Sequence, residues 1–424
     1  MKKLILFLFL ALLTAFLSAQ ENDLINIDLD DIDSIFDEPV NNNEEKQIEQ
    51  ETSILKDIRR RGIELTGDFS FKGAANPGWD MHPWEFNGNE NFSWVIGIKM
   101  AGSFRVNAQL SDSFRVLGVI NFGIPSEPVF WLGDFFFDYN FYDKVFLRAG
   151  KYEQAWGISP NFAFTNLLTR VPNPAEDRND RSGPSYLLKF DIPIGLGGLQ
   201  LLTMTRVNIQ ESVTPESDDF GYGAKFNLAF NRTDFNLGFY YQDGMAFRGF
   251  FSAKVNIWKT DFYNEWLMAY NAHKDKKTTF AVNFGFVKSL FNNRLDINGE
   301  FFYNGEDRTS YFHQETDYLA EGTSGLPHGI SFAFNILYKF NVKMNPRLFA
   351  TVRYSLHENS ASVIPGFRIT PFQNLEIYFA VPMALGNKEG CYYENSFNIL
   401  NETRPFSFLL YITFSGSVRA GYYF

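Results

Sequence analysis

Arg105, Arg115, Arg148, Arg206, Arg248 and Arg353 recur within segments where polar and apolar residues alternate. Lys99, Lys189, Lys225 and Lys254 fall on the same parity, as do Glu64, Asp68, Asp134, Asp138, Asp191, Glu265, Asp296, Glu300 and Glu376. Side chains of an extended strand point alternately to its two faces, so parity collects these ten cations and nine anions on one face. The chemistry open to such a face is electrostatic: a transverse field that selects solutes by charge, with many of the groups pairing to brace the wall. The near-balance of signs leaves the direction of selectivity unset.

Catalysis has little to work with. The five histidines, His82, His273, His313, His328 and His357, all fall in or beside expected connections. None stands in an HExxH or GxSxG arrangement that would set a base beside a nucleophile. His313 and Glu315 read as a solvated loop pair. Cys391 is the only cysteine, so neither an intrachain disulfide nor a cysteine metal cluster is available. No motif calls for a cofactor, and the expectation is a protein that is not an enzyme. An isoelectric point near 5.1 and the lack of a basic reading element argue against nucleic acid.

The elements that must position these charges follow from composition. The chain has 424 residues, 18% of them aromatic, yet its mean hydropathy is -0.20. The aromatics alternate with Asn, Asp, Lys and Arg, and no stretch beyond the amino terminus nears the roughly 18 apolar residues of a spanning helix. An apolar face spread thinly over many strands is the mark of a closed transmembrane β-barrel. Parity marks strands at 62–71, 92–110, 114–122, 129–141, 145–152, 185–193, 199–208, 220–230, 234–241, 247–257, 261–270, 278–287, 294–303, 329–340, 346–356, 362–369, 374–382 and 405–424. The sum is 18 antiparallel, up-and-down strands, with 16 as the alternative because 362–369 carries Pro365. Eight short connections alternate with nine that are longer on average, which sets short turns at one end and external loops at the other, with both termini at the short-turn end.

The amino terminus reads as a secretory signal peptide over 1–19, with Lys2 and Lys3 before an apolar run from Leu4 to Leu17 and a small-residue exit at Ala19. Without a cysteine at the cut, a lipoprotein is not expected. Residues 20–61 form a short acidic periplasmic segment, solvated and flexible, with 13 Asp and Glu against Lys46 and Lys56 before Arg59. That is -11, while 34 basic and 36 acidic residues from Arg59 onward leave only -2. Leu24, Ile27, Ile32, Ile35 and Phe36 within it could meet a partner or a lumen, and Ile48, Leu55 and Ile58 could form a short coiled coil. Residues 62–424 are the barrel.

The chain end, with Phe414, Val418, Ala420, Tyr422 and a terminal Phe424 on one parity, resembles the final strand of bacterial outer-membrane porin-like β-barrels. The resemblance implies recognition of that strand by the barrel-assembly machinery and residence in the lipid bilayer of the outer membrane of a diderm bacterium. Leu147-Arg148-Ala149-Gly150-Lys151-Tyr152, followed by Trp156-Gly157, is similar to the strand entering the long third loop of porins. In that family the loop folds into the lumen and narrows it. The resemblance makes Glu176, Asp177 and Asp180 constriction candidates, although Arg178 and Arg181 interleave with them. It implies passive diffusion of small hydrophilic solutes and ions, and homotrimers as one assembly that such barrels adopt.

Two other readings compete. A surface-exposed adhesin or structural barrel would have a plugged lumen and ligand-binding tips on the long loops near 304–328 and 382–404. A transporter of hydrophobic substrates would want an apolar lumen. In the first loop Trp79, His82, Trp84 and Phe86 could stack on sugars, but packing on the rim as part of an aromatic girdle is the reading favoured here.

Overall fold

The computed structural model describes residues 62–88, 91–125, 129–152, 154–162, 164–165, 185–205, 220–242, 246–270, 278–305, 327–394, 398–399 and 402–423. The expected leader and acidic segment, Arg206, Glu176, Asp177, Asp180 and Phe424 lie outside them, as do His273 and His313. The strands are β1 (Gly62–Trp79), β2 (Phe92–Ser111), β3 (Phe114–Ile124), β4 (Phe130–Phe141), β5 (Val145–Tyr152) and β6 (Ser185–Ile194). They continue with β7 (Gly197–Thr205), β8 (Phe220–Phe230), β9 (Thr233–Gln242), β10 (Phe247–Ile257), β11 (Thr260–Tyr270) and β12 (Thr278–Leu290). After β13 (Leu295–Asn304), β14 (Gly329–Lys339), β15 (Arg347–Ser355) and β16 (Ser360–Phe372) come β17 (Leu375–Ala380), β18 (Met383–Gly386), the small hairpin β19 (Asn398–Ile399) and β20 (Glu402–Thr403), β21 (Phe406–Ser407) and β22 (Leu409–Tyr423).

Every wall strand runs antiparallel to its neighbours, and β1 pairs both with β2, from Gly62↔Gln109 to Trp79↔Phe92, and with β22, beginning at Gly62↔Tyr423. The sheet is therefore a closed barrel without an edge. β17 and β18 form one stave broken at Val381 and Pro382, since both pair with β16, and β21 and β22 form another, broken at Phe408. The count is thus 18. The Pro365 segment is a full strand: Pro365 sits opposite Ala350, and its carbonyl accepts the Val381 amide at 2.9 Å. One N–H is lost, but the strand is not.

Alternation sorts the two faces. Phe104, Phe135, Leu237, Phe280 and Phe332 are exposed on the outer surface, and no helix among the described residues is long and apolar enough to cross a membrane. An apolar belt around a closed barrel is a lipid surface. Parity slips once in β4, where Gly118↔Phe135 is followed by Ile120↔Leu132, so Gly133 and Asp134 bulge opposite Val119. Inside the barrel Phe349, Tyr378, Leu409 and Tyr411 belong to one buried cluster, and Tyr152, Trp156, Phe162, Phe164, Tyr240 and Phe302 belong to a larger one. Much of it comes from the connection that follows β5.

Candidate functional site

That connection, described over 154–162 and 164–165, crosses from β5 to the wall of β11–β14. Glu300 on β13, 4% exposed, receives five hydrogen bonds. Its Oε1 accepts from the Asn161 amide at 3.0 Å, Asn161 Nδ2 at 2.8 Å and the Tyr263 hydroxyl at 2.8 Å. Its Oε2 accepts from Ser159 Oγ at 2.7 Å and Asn283 Nδ2 at 2.9 Å. Glu265 on β11, fully buried, accepts at Oε1 from the Ile158 amide at 2.7 Å and Thr165 Oγ1 at 2.6 Å. Asn335 Nδ2 donates to Asn161 Oδ1 at 2.7 Å, and Asn161 Nδ2 donates to Asn298 Oδ1 at 2.7 Å. Two wall carboxyls and three wall amides thus satisfy the polar groups of a loop that would otherwise be buried without partners.

Aromatic packing completes the attachment. Phe162 stacks on Phe302 with centroids 4.7 Å apart, Phe164 lies 5.1 Å from the same ring, and Trp156 lies 5.4 Å from Phe250. Trp156 Nε1 donates to Gln200 Oε1 at 2.5 Å. Two glycines make room: a Cβ on Gly223 would come 2.6 Å from the Trp156 ring, and one on Gly285 would come 2.3 Å from Tyr263 Cζ. Without that second gap the Tyr263 ring could not lie across β12 to reach Glu300.

Glu265 and Glu300 point inward as parity expects, but they lie beneath the loop and not on open lumen. Arg248, 2% exposed, shares that covered wall, opposite Tyr240 and Ala269. Arg353 stands opposite Ala333 and Ser362.

The remaining charges form a row across neighbouring strands. Arg115↔Asp138, Asp138↔Arg148 and Arg148↔Lys189 are directly opposite pairs on β3 to β6. Arg148 Nε and Nη2 grip the Asp138 carboxylate at 2.7 and 3.1 Å, Arg115 lies 3.6 Å from the same group, and the Arg148 guanidinium covers the Phe136 ring at 4.3 Å. Lys189 pairs with Asp191 at 2.9 Å and reaches Gln154 of the loop at 3.2 Å. Asp191 faces Gln200, which faces Lys225. Lys254 pairs with Asp261 at 3.3 Å. Three further strand cations join the inward charges: Lys339 lies 2.7 Å from Asp296, Arg419 2.5 Å from Glu64 and Arg368 3.4 Å from Glu376.

The opposite wall is bare by comparison. A recess of about 590 Å³ is lined by Asp68, Ser70, Lys99, Ser103, Asn121 and Ser417, together with Phe69, Phe122 and Trp131. Arg105 stands one step along, opposite Thr66 and Val119. Among the described residues no cluster of three or more His, Cys, Asp or Glu could hold a metal ion.

At the long-loop end, Glu358 gathers two loops: its Oε1 accepts the His328 amide at 3.1 Å and its Oε2 the Cys391 amide at 2.5 Å. The helical turn Cys391–Glu394 is thereby held against β16, with Cys391 buried. Burial pushes the Tyr392 hydroxyl up, and Cys391 adds to the effect. Trp79 ends β1 and packs on Phe92, Phe406 and Phe408, while His82 stacks on Trp84 at 4.5 Å. The first-loop aromatics are a rim cluster.

No protein-family model matches the chain, and no curated protein is similar to it in sequence. Solved structures do share its fold. Pseudomonas aeruginosa OpdO is 10% identical with a TM-score of 0.52, over 85% of this chain and 98% of that one. Acinetobacter baumannii OccAB2 gives 10%, 0.51, 83% and 98%. A BenF-like porin from Pseudomonas fluorescens Pf-5 gives 10%, 0.50, 84% and 99%. At such identities the likeness is one of fold. With its apolar belt, the closed wall is that of a transmembrane β-barrel, with its short turns gathered at one end.

Proposed function

We propose that this barrel is a porin through which small hydrophilic solutes and ions diffuse passively, in a lumen narrowed by the external connection 153–184. An 18-strand barrel is too wide for its own wall side chains to fill. One observation carries the reading: Glu300 collects five donors, three of them from the crossing loop, while the recess on β22 through β4 is left uncovered and carries Asp68, Ser70, Lys99, Ser103, Asn121 and Ser417 beside Trp131. Loop and aromatics occupy one side, and water and solute take the other. Arg105, Arg115, Arg148, Arg206, Lys99, Lys254, Asp134 and Asp138 supply the field along that path, with Arg248 and Arg353 behind it. Glu176, Asp177 and Asp180 are the constriction acids in this reading.

The same reading takes 1–19 as the export leader, 20–61 as a periplasmic segment and the strand ending at Phe424 as the signal read by the assembly machinery. Its apolar exterior suits a homotrimer, and crosslinking in native membranes tests that. The channel itself is tested by liposome swelling with uncharged sugars of graded size. Swelling rates that fall steeply with solute size support it, and liposomes that do not swell even with the smallest sugar overturn it.

A further inference from the structure

Four consecutive periplasmic turns differ from the rest of the rim. The connections β8–β9, β10–β11, β12–β13 and β14–β15 carry Arg232, Lys259, Arg294 and Lys343, all exposed, and contain no acidic residue. The other four short turns contain Asp112, Asp143 and a single cation, Lys144. Carboxylates near the basic arc face the lumen and have cations of their own: Asp261 pairs with Lys254 at 3.3 Å, Asp296 with Lys339 at 2.7 Å, and Asp234 stands opposite Lys254. Lys288 is already committed to Thr260 Oγ1 at 2.8 Å, linking two of the turns.

The arc also displays apolar groups in costly positions. Trp258 and Lys259 form a two-residue turn with φ of 53° and 56°, and Phe291 has φ of 52°. Left-handed backbone disfavours any side chain by about 1–2 kcal/mol, and hairpins of this type ordinarily use Asn or Gly there. These tips instead hold Trp258 at 85% exposure and Phe291 at 69%, with Val342 close by in sequence to Lys343; Tyr142 and Leu196 are as exposed on the other turns, so it is the joining of apolar tips to positive charge that sets the arc apart. A rim that is basic and apolar together lacks its counterpart among the described residues.

The chain itself holds a match. Residues 20–58 carry 13 acids against two lysines, interspersed with Leu24, Ile27, Ile32, Ile35 and Phe36. The segment joins the barrel at Gly62, the periplasmic end of β1. Its 42 residues from 20 to 61 extend to about 140 Å at most, against a barrel diameter on the order of 35 Å, so it can cross the mouth. The geometry points to the basic arc of turns as the docking surface for the acidic segment of the same chain.

The test uses the mature chain 20–424, with Cys391 replaced by Ala, and spin labels at Ser34→Cys paired with either Asn292→Cys or Tyr142→Cys. Docking gives a narrow distance distribution to position 292 and a longer separation from position 142. Reversing the arc with Lys259→Glu, Arg294→Glu and Lys343→Glu broadens it, and adding Asp30→Lys, Asp31→Lys and Asp33→Lys restores it. A broad distribution in the unreversed chain, or no restoration, overturns the proposal. A narrow distribution in detergent that is lost in anionic bilayers also overturns it, and assigns the arc to lipid headgroups.

Discussion

Ser159 Oγ donates a 2.7 Å hydrogen bond to Glu300 Oε2, joining an external loop to a strand 141 positions away in sequence. Ser159 in turn accepts from Asn283 Nδ2 at 2.7 Å and from the Phe162 amide at 3.0 Å, so the hydroxyl is oriented from both sides. Glu300→Ala leaves five donors without their acceptor. Each buried donor left unsatisfied costs about 1–3 kcal/mol, enough together to detach the loop. Single-channel conductance and protease cleavage within 154–165 should both rise. A variant that folds and conducts like the wild type removes Glu300 from the anchoring role.

The apolar half of the attachment predicts a stability effect. Phe302 meets Phe162 and Phe164 on one ring. Phe302→Ala should cost about 3–5 kcal/mol, and Phe302→Leu markedly less. Denaturant unfolding in detergent measures both, and equal losses for the two would mean that the rings do not pack on one another.

Adjacent positions on β9 test which face meets lipid. Leu237 is 60% exposed on the outer surface, and Asn236 bonds inward to Ser252 Oγ at 3.1 Å. Leu237→Arg should destabilise the barrel by about 2–4 kcal/mol at mid-depth, and Asn236→Arg should leave it folded. Heat-modifiable gel mobility reads the result, and the reverse order contradicts the assignment of faces.

Neutralising Arg148 and Arg206 together should move the reversal potential in a salt gradient toward cations. Asp138, released from its grip by Arg148 and left with only the longer contact to Arg115 at 3.6 Å, would then add negative charge to the lumen. An unmoved potential means that the row only braces the wall.

Burial pushes the His82 imidazole below its ordinary value, against a smaller upward pull from Glu85. The folded first loop therefore favours the neutral ring. Its contribution is complete above about pH 6.5, the ordinary histidine value, and is lost as pH falls below that toward the lowered value of the folded loop. Trp84 emission, monitored from pH 8 to pH 4, should report unstacking from His82, and the His82→Phe variant should give a flat trace. A titration that persists in that variant assigns the transition elsewhere.

The wall was legible in the sequence because a barrel strand repeats every two residues and an incorrect register would turn Phe104, Leu237 or Phe332 inward. Even the Pro365 strand keeps its parity, and the short turns fall where the segments end. The anchored loop was not legible. Parity says which way Glu265 and Glu300 point, but not what lies over them, and their burial is decided by residues more than a hundred positions distant. The signal that could have flagged it was present in Asn283, Asn298 and Asn335, inward amides that a wide aqueous wall does not require. Counting charges alone passed over them. The bulge at Gly133 and Asp134 does leave a mark, because the outward set changes from even at Phe130 to odd at Phe135 and Phe137, but a single run of aromatics over 130–141 hides the change.

Single-channel recording of the mature protein in planar bilayers tests the central claim most directly. A water-filled lumen narrowed by a tethered loop gives discrete conductance steps in the wild type and larger, noisier steps when Glu265 and Glu300 are both replaced by Ala. A correctly folded wild-type barrel that passes no current, and stays silent in the double variant, would contradict it.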